Sequence, residues 1–239
     1  MYGDSPYDNE ELYGMTTAEA MSRFNDLLEG KKHRPDTYIH PKKDFYDFYL
    51  IRHAECEINL QDIIGGRSNH SPLTQKGIQQ ARDLNSRLRK IDITGAEFKC
   101  SPARRCIDTL LHSLDFIPNF EIDPRLQELD QGDWTGEDRK EIYTPEQMEI
   151  IQKDYWNFKA PCGKSQAEVA NRVKLFLHEE TCKKPGKRLI YTHGGVIKYT
   201  CTDLFGWDTS KAWKVEVDNA SITHIKYNGQ KWELVSFNK

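Results

Sequence analysis

From residue 46 onward, apolar residues recur first at strand spacing and then at helical spacing, so strands and helices follow one another along the chain. Tyr46 to Ile51 is a short, nearly continuous apolar run, as a strand buried on both faces requires. Thr74 then stands as the cap of a helix whose inward face is Ile78, Ala81, Leu84 and Leu88. Ala96 to Cys100 predicts a second strand, and Ile107, Leu110 and Leu111 mark the helix after it. A short strand at Phe120 to Ile122 leads into an irregular stretch that contains Gly132-Asp133-Trp134-Thr135-Gly136. In Thr144-Pro145-Glu146-Gln147, a threonine cap and a proline at the first helical position announce another helix. Val169, Val173, Phe176 and Leu177 place a long helix at about 166–180. Arg188 to Thr192 predicts a strand and Val196 to Leu204 a helix. Segments 213–218, 221–227 and 231–237 read as closing strands, the last two joined as a hairpin at Asn228-Gly229. The expectation is one α/β domain over 46–239, a three-layer α/β/α sandwich with a mostly parallel mixed central sheet, antiparallel at an edge.

Residues 1–45 read as an extension with one short helix. Thr16 and Glu19 have capping-box spacing, and Ala20, Phe24, Leu27 and Leu28 form a narrow apolar stripe ahead of Gly30. Such a helix suits packing on the domain or on a second subunit, so a homodimer is one arrangement open to the chain. The basic run Lys31-Lys32-His33-Arg34 that follows it reads as a solvated linker.

Composition narrows the partners. The 239 residues carry 37 acidic and 34 basic side chains, a formal net charge of -3, which gives no general footprint for nucleic acid or an anionic membrane. No apolar run has spanning length, and the polar, acidic stretch Met1 to Glu11 lacks the pattern of a signal peptide. Six cysteines without a C-x-x-C pair signal neither a zinc knuckle nor a disulfide framework. Free thiols in a cytoplasmic protein are expected.

The candidate chemistry sits at strand ends. Arg52-His53-Ala54 closes the first strand and Thr192-His193-Gly194-Gly195 the one near residue 190, so a parallel sheet would bring both histidines to one edge. An arginine fork can grip phosphoryl oxygens, and a neutral imidazole can attack phosphorus. Ser101-Pro102-Ala103-Arg104-Arg105 also follows a strand and can aim an arginine at the same edge. Each residue alone has a structural reading: a histidine that ends a strand, an arginine in a surface ion pair. Together, at three strand ends, they outline a site for a phosphate dianion.

These residues also carry a resemblance. Leu50-Ile51-Arg52-His53-Ala54-Glu55 with Asn59, Gly66-Arg67-Ser68, Ser71-Pro72-Leu73-Thr74 with Gly77, Gln80 and Ala81, Ser101-Pro102 with Arg105 and Thr109, Glu128 with Gly132, Trp134 and Gly136, and Thr192-His193-Gly194-Gly195 resemble the ordered signature of the histidine phosphatase superfamily, the phosphoglycerate-mutase-like proteins. The resemblance covers about residues 46–237. It implies that His53 is the phosphoryl-accepting nucleophile, that Arg52, Arg105 and His193 form a phosphate clamp, and that Glu128 exchanges protons with the leaving oxygen. Asn59, Arg67, Ser68 and Gly194 would contact substrate. No metal or other cofactor is implied.

Two positions depart from the family pattern: Ala54 where glycine is usual, and Lys164 in Pro161-Cys162-Gly163-Lys164-Ser165 where glutamate is usual. Alanine is tolerable unless that residue needs a positive φ, and Lys164, like Arg104, is either a rim cation or a solvated charge. The stretches His193 to Val196 and Asp218 to Thr223 look more like the phosphatase branches than the mutase branch. The reading is a phosphomonoesterase acting on a small phosphorylated metabolite or a phosphoprotein. Mutase-type phosphoryl transfer and a non-catalytic phosphate-binding module stand as alternatives.

Overall fold

Strand β1 (Tyr46–Arg52) lies inside the sheet and is covered on both faces. Its pleat sends Phe48 and Leu50 one way and Tyr49 and Ile51 the other, and all four are buried. The computed structural model describes residues 45–239; the helix expected near residues 16–28 lies outside them. After β1 come a single-turn helix α1 (Glu57–Leu60), helix α2 (Gln75–Leu88), strand β2 (Glu97–Cys100), helix α3 (Arg104–His112) and strand β3 (Phe120–Ile122). Helices α4 (Arg139–Ile142), α5 (Pro145–Lys153) and α6 (Gln166–Thr181) follow, then β4 (Gly186–Thr192), α7 (Gly194–Leu204), β5 (Ile222–Tyr227) and β6 (Trp232–Ser236).

The six strands are ordered β3-β2-β4-β1-β5-β6. Pairing is parallel from β3 through β1, and β5 runs antiparallel to both β1 and β6. This is the mixed α/β sheet that the apolar pattern predicts. On one face Phe48, Leu50 and Ile190 meet Val173 and Phe176 of α6 and Val196 and Ile197 of α7. On the other, Tyr49, Ile51 and Tyr191 meet Leu84 and Leu88 of α2 and Leu110 of α3. Each such side chain stabilises the fold by roughly 1.5–3 kcal/mol when fully buried.

The expected caps form. The Thr74 hydroxyl accepts from the Gly77 N–H at 2.9 Å, Thr144 accepts from Gln147 at 3.2 Å, and Ser165 and Glu168 close a reciprocal capping box at the start of α6. The segment 213–218 does not form a strand. Its alternation of Trp213, Val215 and Val217 mimics one, but both edges of β5 are already paired, to β1 and β6. Asp208 instead caps a 3-10 helix over Thr209–Lys214, and the Val217 carbonyl accepts from Arg52.

One charged cluster is enclosed by the fold. Glu180 at the end of α6, 2% exposed, faces Arg188 of β4 at 3.3 Å and Lys99 of β2 at 3.5 Å, and takes a further bond from Lys183 at 2.7 Å. Lys99 also reaches Glu121 at 2.6 Å. The Lys99, Arg188 and Glu180 side chains are at most 2% exposed, so each charge depends on the others for its compensation.

Candidate active site

The register Arg52↔Thr192 puts the C-terminal ends of β1 and β4 side by side, so the residues that follow, His53 and His193, are neighbours. The His53 N–H donates to the Thr192 carbonyl at 2.9 Å, and the two imidazoles meet edge to face with centroids 5.3 Å apart. Ala54 fills the position after the nucleophile candidate without positive φ; it is buried, and its N–H donates to the Thr109 hydroxyl at 2.9 Å.

Hydrogen bonding fixes the His53 tautomer. Nδ1 lies 2.8 Å from the Ala54 carbonyl, which can only accept, so Nδ1 carries the proton and Nε2 presents a lone pair. Arg105 Nε donates toward that nitrogen at 3.3 Å. Burial, then the Arg105 and Arg52 guanidinium charges, hold the His53 pKa well below the ordinary imidazole value, so the ring is neutral at physiological pH.

Arg105 is held by three segments. Besides His53, its guanidinium donates to the Ser68 carbonyl and to His193 Nδ1, the latter at 3.1 Å. An acceptor at Nδ1 leaves the His193 proton on Nε2, which donates to the Ser101 hydroxyl at 2.8 Å. Burial and then Arg105 keep His193 neutral as well. Both of its ring nitrogens thus have protein partners, and it is fully buried behind Arg105. Arg52 donates to the Val217 carbonyl, while its buried Nε has no partner.

Glu128 comes from a coil segment that three contacts hold in place. Thr192 donates its hydroxyl proton to the Leu126 carbonyl at 2.7 Å. Arg172 of α6 donates to the carbonyls of Arg125, Gln127 and Glu128. The Glu128 carboxylate then accepts from its neighbour Leu129 N–H at 2.8 Å and from Gly195 N–H at 3.2 Å. A Cβ on Gly195 would lie 2.3 Å from Glu128 Oε1, so the close approach needs glycine there.

Arg52, His53, Arg105 and Glu128 line one cleft of about 200 Å³. Of the expected substrate contacts, Asn59 lines it, but Arg67, Ser68 and Gly194 do not. Arg67 pairs with Asp130 at 3.5 Å, Ser68 supplies its carbonyl to Arg105, and Gly194 lies against the Arg52 side chain. Lys164 and Arg104 are surface charges paired with Glu168 and Asp108, each at 3.3 Å. Of the aromatics near residue 150, Tyr143 lines the cleft, whereas Tyr155 and Trp156 pack on the core and Phe158 stacks on Trp134. Arg139, Lys198 and Tyr199 also line the cleft, and the sequence reading missed them. Lys198 falls one turn after Gly194 and Gly195, and that spacing puts it on their helical face. No comparable signal marks Arg139.

The signature of the histidine phosphatase superfamily (branch 1) matches residues 48–239. The chain belongs to this superfamily. A relative from Hydrogenobacter thermophilus named "Putative phosphoserine phosphatase 2" is 32% identical over 201 residues, covering 80% of this chain and 94% of that protein. A "Probable phosphoglycerate mutase GpmB" of Enterobacter sp. (strain 638) is 30% identical over 190 residues, covering 77% and 86%. The superfamily fold recurs in a mycobacterial glucosyl-3-phosphoglycerate phosphatase structure, with a TM-score of 0.70 at 21% identity over 81% of this chain and 99% of that one. It recurs too in the alpha-ribazole phosphatase of Shigella flexneri, with a TM-score of 0.69 at 26% identity over 81% and 96%. As a histidine phosphatase superfamily member the chain is an enzyme of phosphoryl chemistry.

Proposed function

We propose that this protein hydrolyses phosphomonoesters through a phosphohistidine formed on His53, with Glu128 as general acid and then general base. The observation that carries the reading is the Nδ1–H bond of His53 to the Ala54 carbonyl, which leaves the Nε2 lone pair facing the guanidinium of Arg105. A bound phosphoryl oxygen takes the donors of Arg105 and Arg52. In the first displacement the Nε2–P bond forms, the ester P–O bond breaks, and Glu128 gives its proton to the departing alkoxide oxygen. In the second, water attacks phosphorus, Glu128 takes a proton from it, and the N–P bond breaks to release phosphate. Arg52 and Arg105 supply the charge stabilisation that phosphoryl transfer needs. His193 works one step back, as the acceptor that orients Arg105.

Six unpaired thiols and the absence, among the described residues, of a helix long and apolar enough to cross a membrane support a cytoplasmic setting. A mutase reading is favoured by the relative that bears that name; it predicts isomerised ester with little free phosphate. The test is acid-labile, base-stable trapping of labelled enzyme together with phosphate release from a panel of small esters and phosphopeptides. Label should disappear in His53→Ala while the fold persists. Label that survives in His53→Ala sinks the assignment.

A further inference from the structure

Residues 217–221 hold the end of β1 from far along the chain. The His53 carbonyl accepts from the Asn219 side-chain amide at 3.0 Å and from the Ala220 N–H at 3.3 Å. The Arg52 N–H donates to the Ser221 carbonyl at 3.1 Å, and the Arg52 guanidinium donates to the Val217 carbonyl. Within this loop Ala220 has a φ of 55°, a left-handed conformation that alanine keeps only where its surroundings hold it. A relaxed Ala220 would turn its N–H away from the His53 carbonyl.

The restraint comes from outside the cleft. Arg87, near the C-terminal end of α2, donates from one guanidinium nitrogen to the Ala220 carbonyl at 2.6 Å and from another to the Lys239 carbonyl at 3.1 Å. Lys239 is itself bonded to Ile222 in both directions, at 2.7 and 3.0 Å, so Arg87 ties the loop to a segment anchored on β5. Asn238 secures the loop's other end: its side-chain oxygen accepts from the Asp218 N–H at 2.7 Å, and its amide donates to the Asp218 carboxylate at 3.1 Å. The two fastenings divide the work. Asn238 acts beside Val217, whose carbonyl holds Arg52, while Arg87 acts on Ala220, whose N–H meets His53. Neither side chain lines the cleft.

We propose that Arg87 is a positioning residue for His53, acting through Ala220. This rests on the reading of His53 as the nucleophile and names what keeps that nucleophile in place. With the Ala220 carbonyl bonded, the left-handed turn stays closed, the His53 carbonyl keeps both of its donors, and Nε2 stays aimed at the phosphorus that Arg52 and Arg105 hold. The plain alternative is an arginine that only fastens α2 to the segment after β6. A fastening acts on stability, whereas a positioning residue acts on the rate of bond formation at His53.

Three measurements on the full chain separate them: single-turnover phosphoenzyme formation from nitrophenyl phosphate, calorimetric binding of inorganic phosphate, and a melting curve. Arg87→Met should slow phosphoenzyme formation about tenfold to hundredfold, the range for a nucleophile displaced by up to about 1 Å. Phosphate affinity should stay near the parent's, because Arg105 keeps its bonds to Ser68 and His193. Arg87→Lys, which can reach one carbonyl but not both, should lose less rate, and it carries the same comparison should Arg87→Met not fold. Adding Ala220→Gly to Arg87→Met should recover rate, since glycine adopts a positive φ without strain. A rate near the parent's in Arg87→Met, or a double variant no faster than Arg87→Met, overturns the inference. So does a loss of phosphate affinity equal to the loss of rate, which would make Arg87 a support of the whole site. A parent that forms no phosphoenzyme is a separate result: it refutes the His53 mechanism and this role with it, whereas a normal parent beside an unaffected Arg87→Met refutes the role alone.

Discussion

Replacing Gly195 with alanine separates folding from catalysis at one atom. Gly195 is the second residue of α7 and has no positive φ, so alanine suits the backbone and gains about 0.5–1 kcal/mol of helix preference. Its Cβ would stand 2.3 Å from Glu128 Oε1 and 3.1 Å from a Tyr199 ring carbon. Ordinary contact begins near 3.4 Å, so the carboxylate must retreat by about 1 Å. The end of a glutamate side chain can do so cheaply. The proton it carries then no longer meets the leaving oxygen, and a displacement of that size costs about 100-fold in rate, near 2.7 kcal/mol of barrier. Nitrophenol departs without a proton and escapes most of the loss. Single-turnover phosphoenzyme formation from an alkyl phosphate and from nitrophenyl phosphate measures the contrast, with a melting curve to show the fold intact. Equal losses on the two esters, or an alkyl rate close to the parent's, would refute the role given to Glu128.

Acid should destabilise the protein through its two buried histidines. His53 and His193 have pKa values held well below 6.5 in the fold, so below that pH the unfolded chain binds more protons and stability falls by up to about 1.4 kcal/mol per pH unit for each; urea denaturation at pH 7.5, 6 and 5 should show the decline, and a flat profile contradicts it. Glu180→Ala should cost about 3–5 kcal/mol, because Arg188 and Lys99 lose the carboxylate between them; a melting temperature within a degree or two of the parent's would show that Glu121 and the half-exposed Glu97, 3.4 Å from Lys99 and 3.5 Å from Arg188, suffice. Turnover should persist in excess chelator and be inhibited by vanadate, whose five-coordinate form resembles the transferring phosphoryl group; activity lost in chelator and restored by magnesium would end the metal-free mechanism.

The strand ends were legible because two independent patterns meet there. Apolar runs fix where β1 and β4 stop, and the sheet's parallel register then forces His53 and His193 together. Glu128 has no such pattern around it: it stands in coil, placed by Thr192 and Arg172 across long sequence separations, and only the family resemblance picked it out. Arg67, Ser68 and Gly194 carry the signature but are not among the residues lining the cleft; Ser68 and Gly194 adjoin the arginines that do line it. Lys198 lies in the segment Val196 to Leu204, which the apolar pattern marked only as a helix; its neighbours Val196, Ile197 and Tyr199 are buried, and no motif singles out the lysine between them. The false strand at 213–218 shows the opposite limit: alternation records which residues want burial, and a strand also needs a free edge to pair with.

Arg105 ties together groups that lie far apart along the chain: His53 is 52 residues before it and His193 is 88 residues after it. No stretch short enough to fold by itself contains His53, its guanidinium partner and the histidine that orients that guanidinium. Contacts of such range form late, after the loops between them have closed. A partly folded chain, whatever helices it has made, therefore lacks this constellation, and on the proposed mechanism the return of turnover during refolding follows the closing of the last long loop.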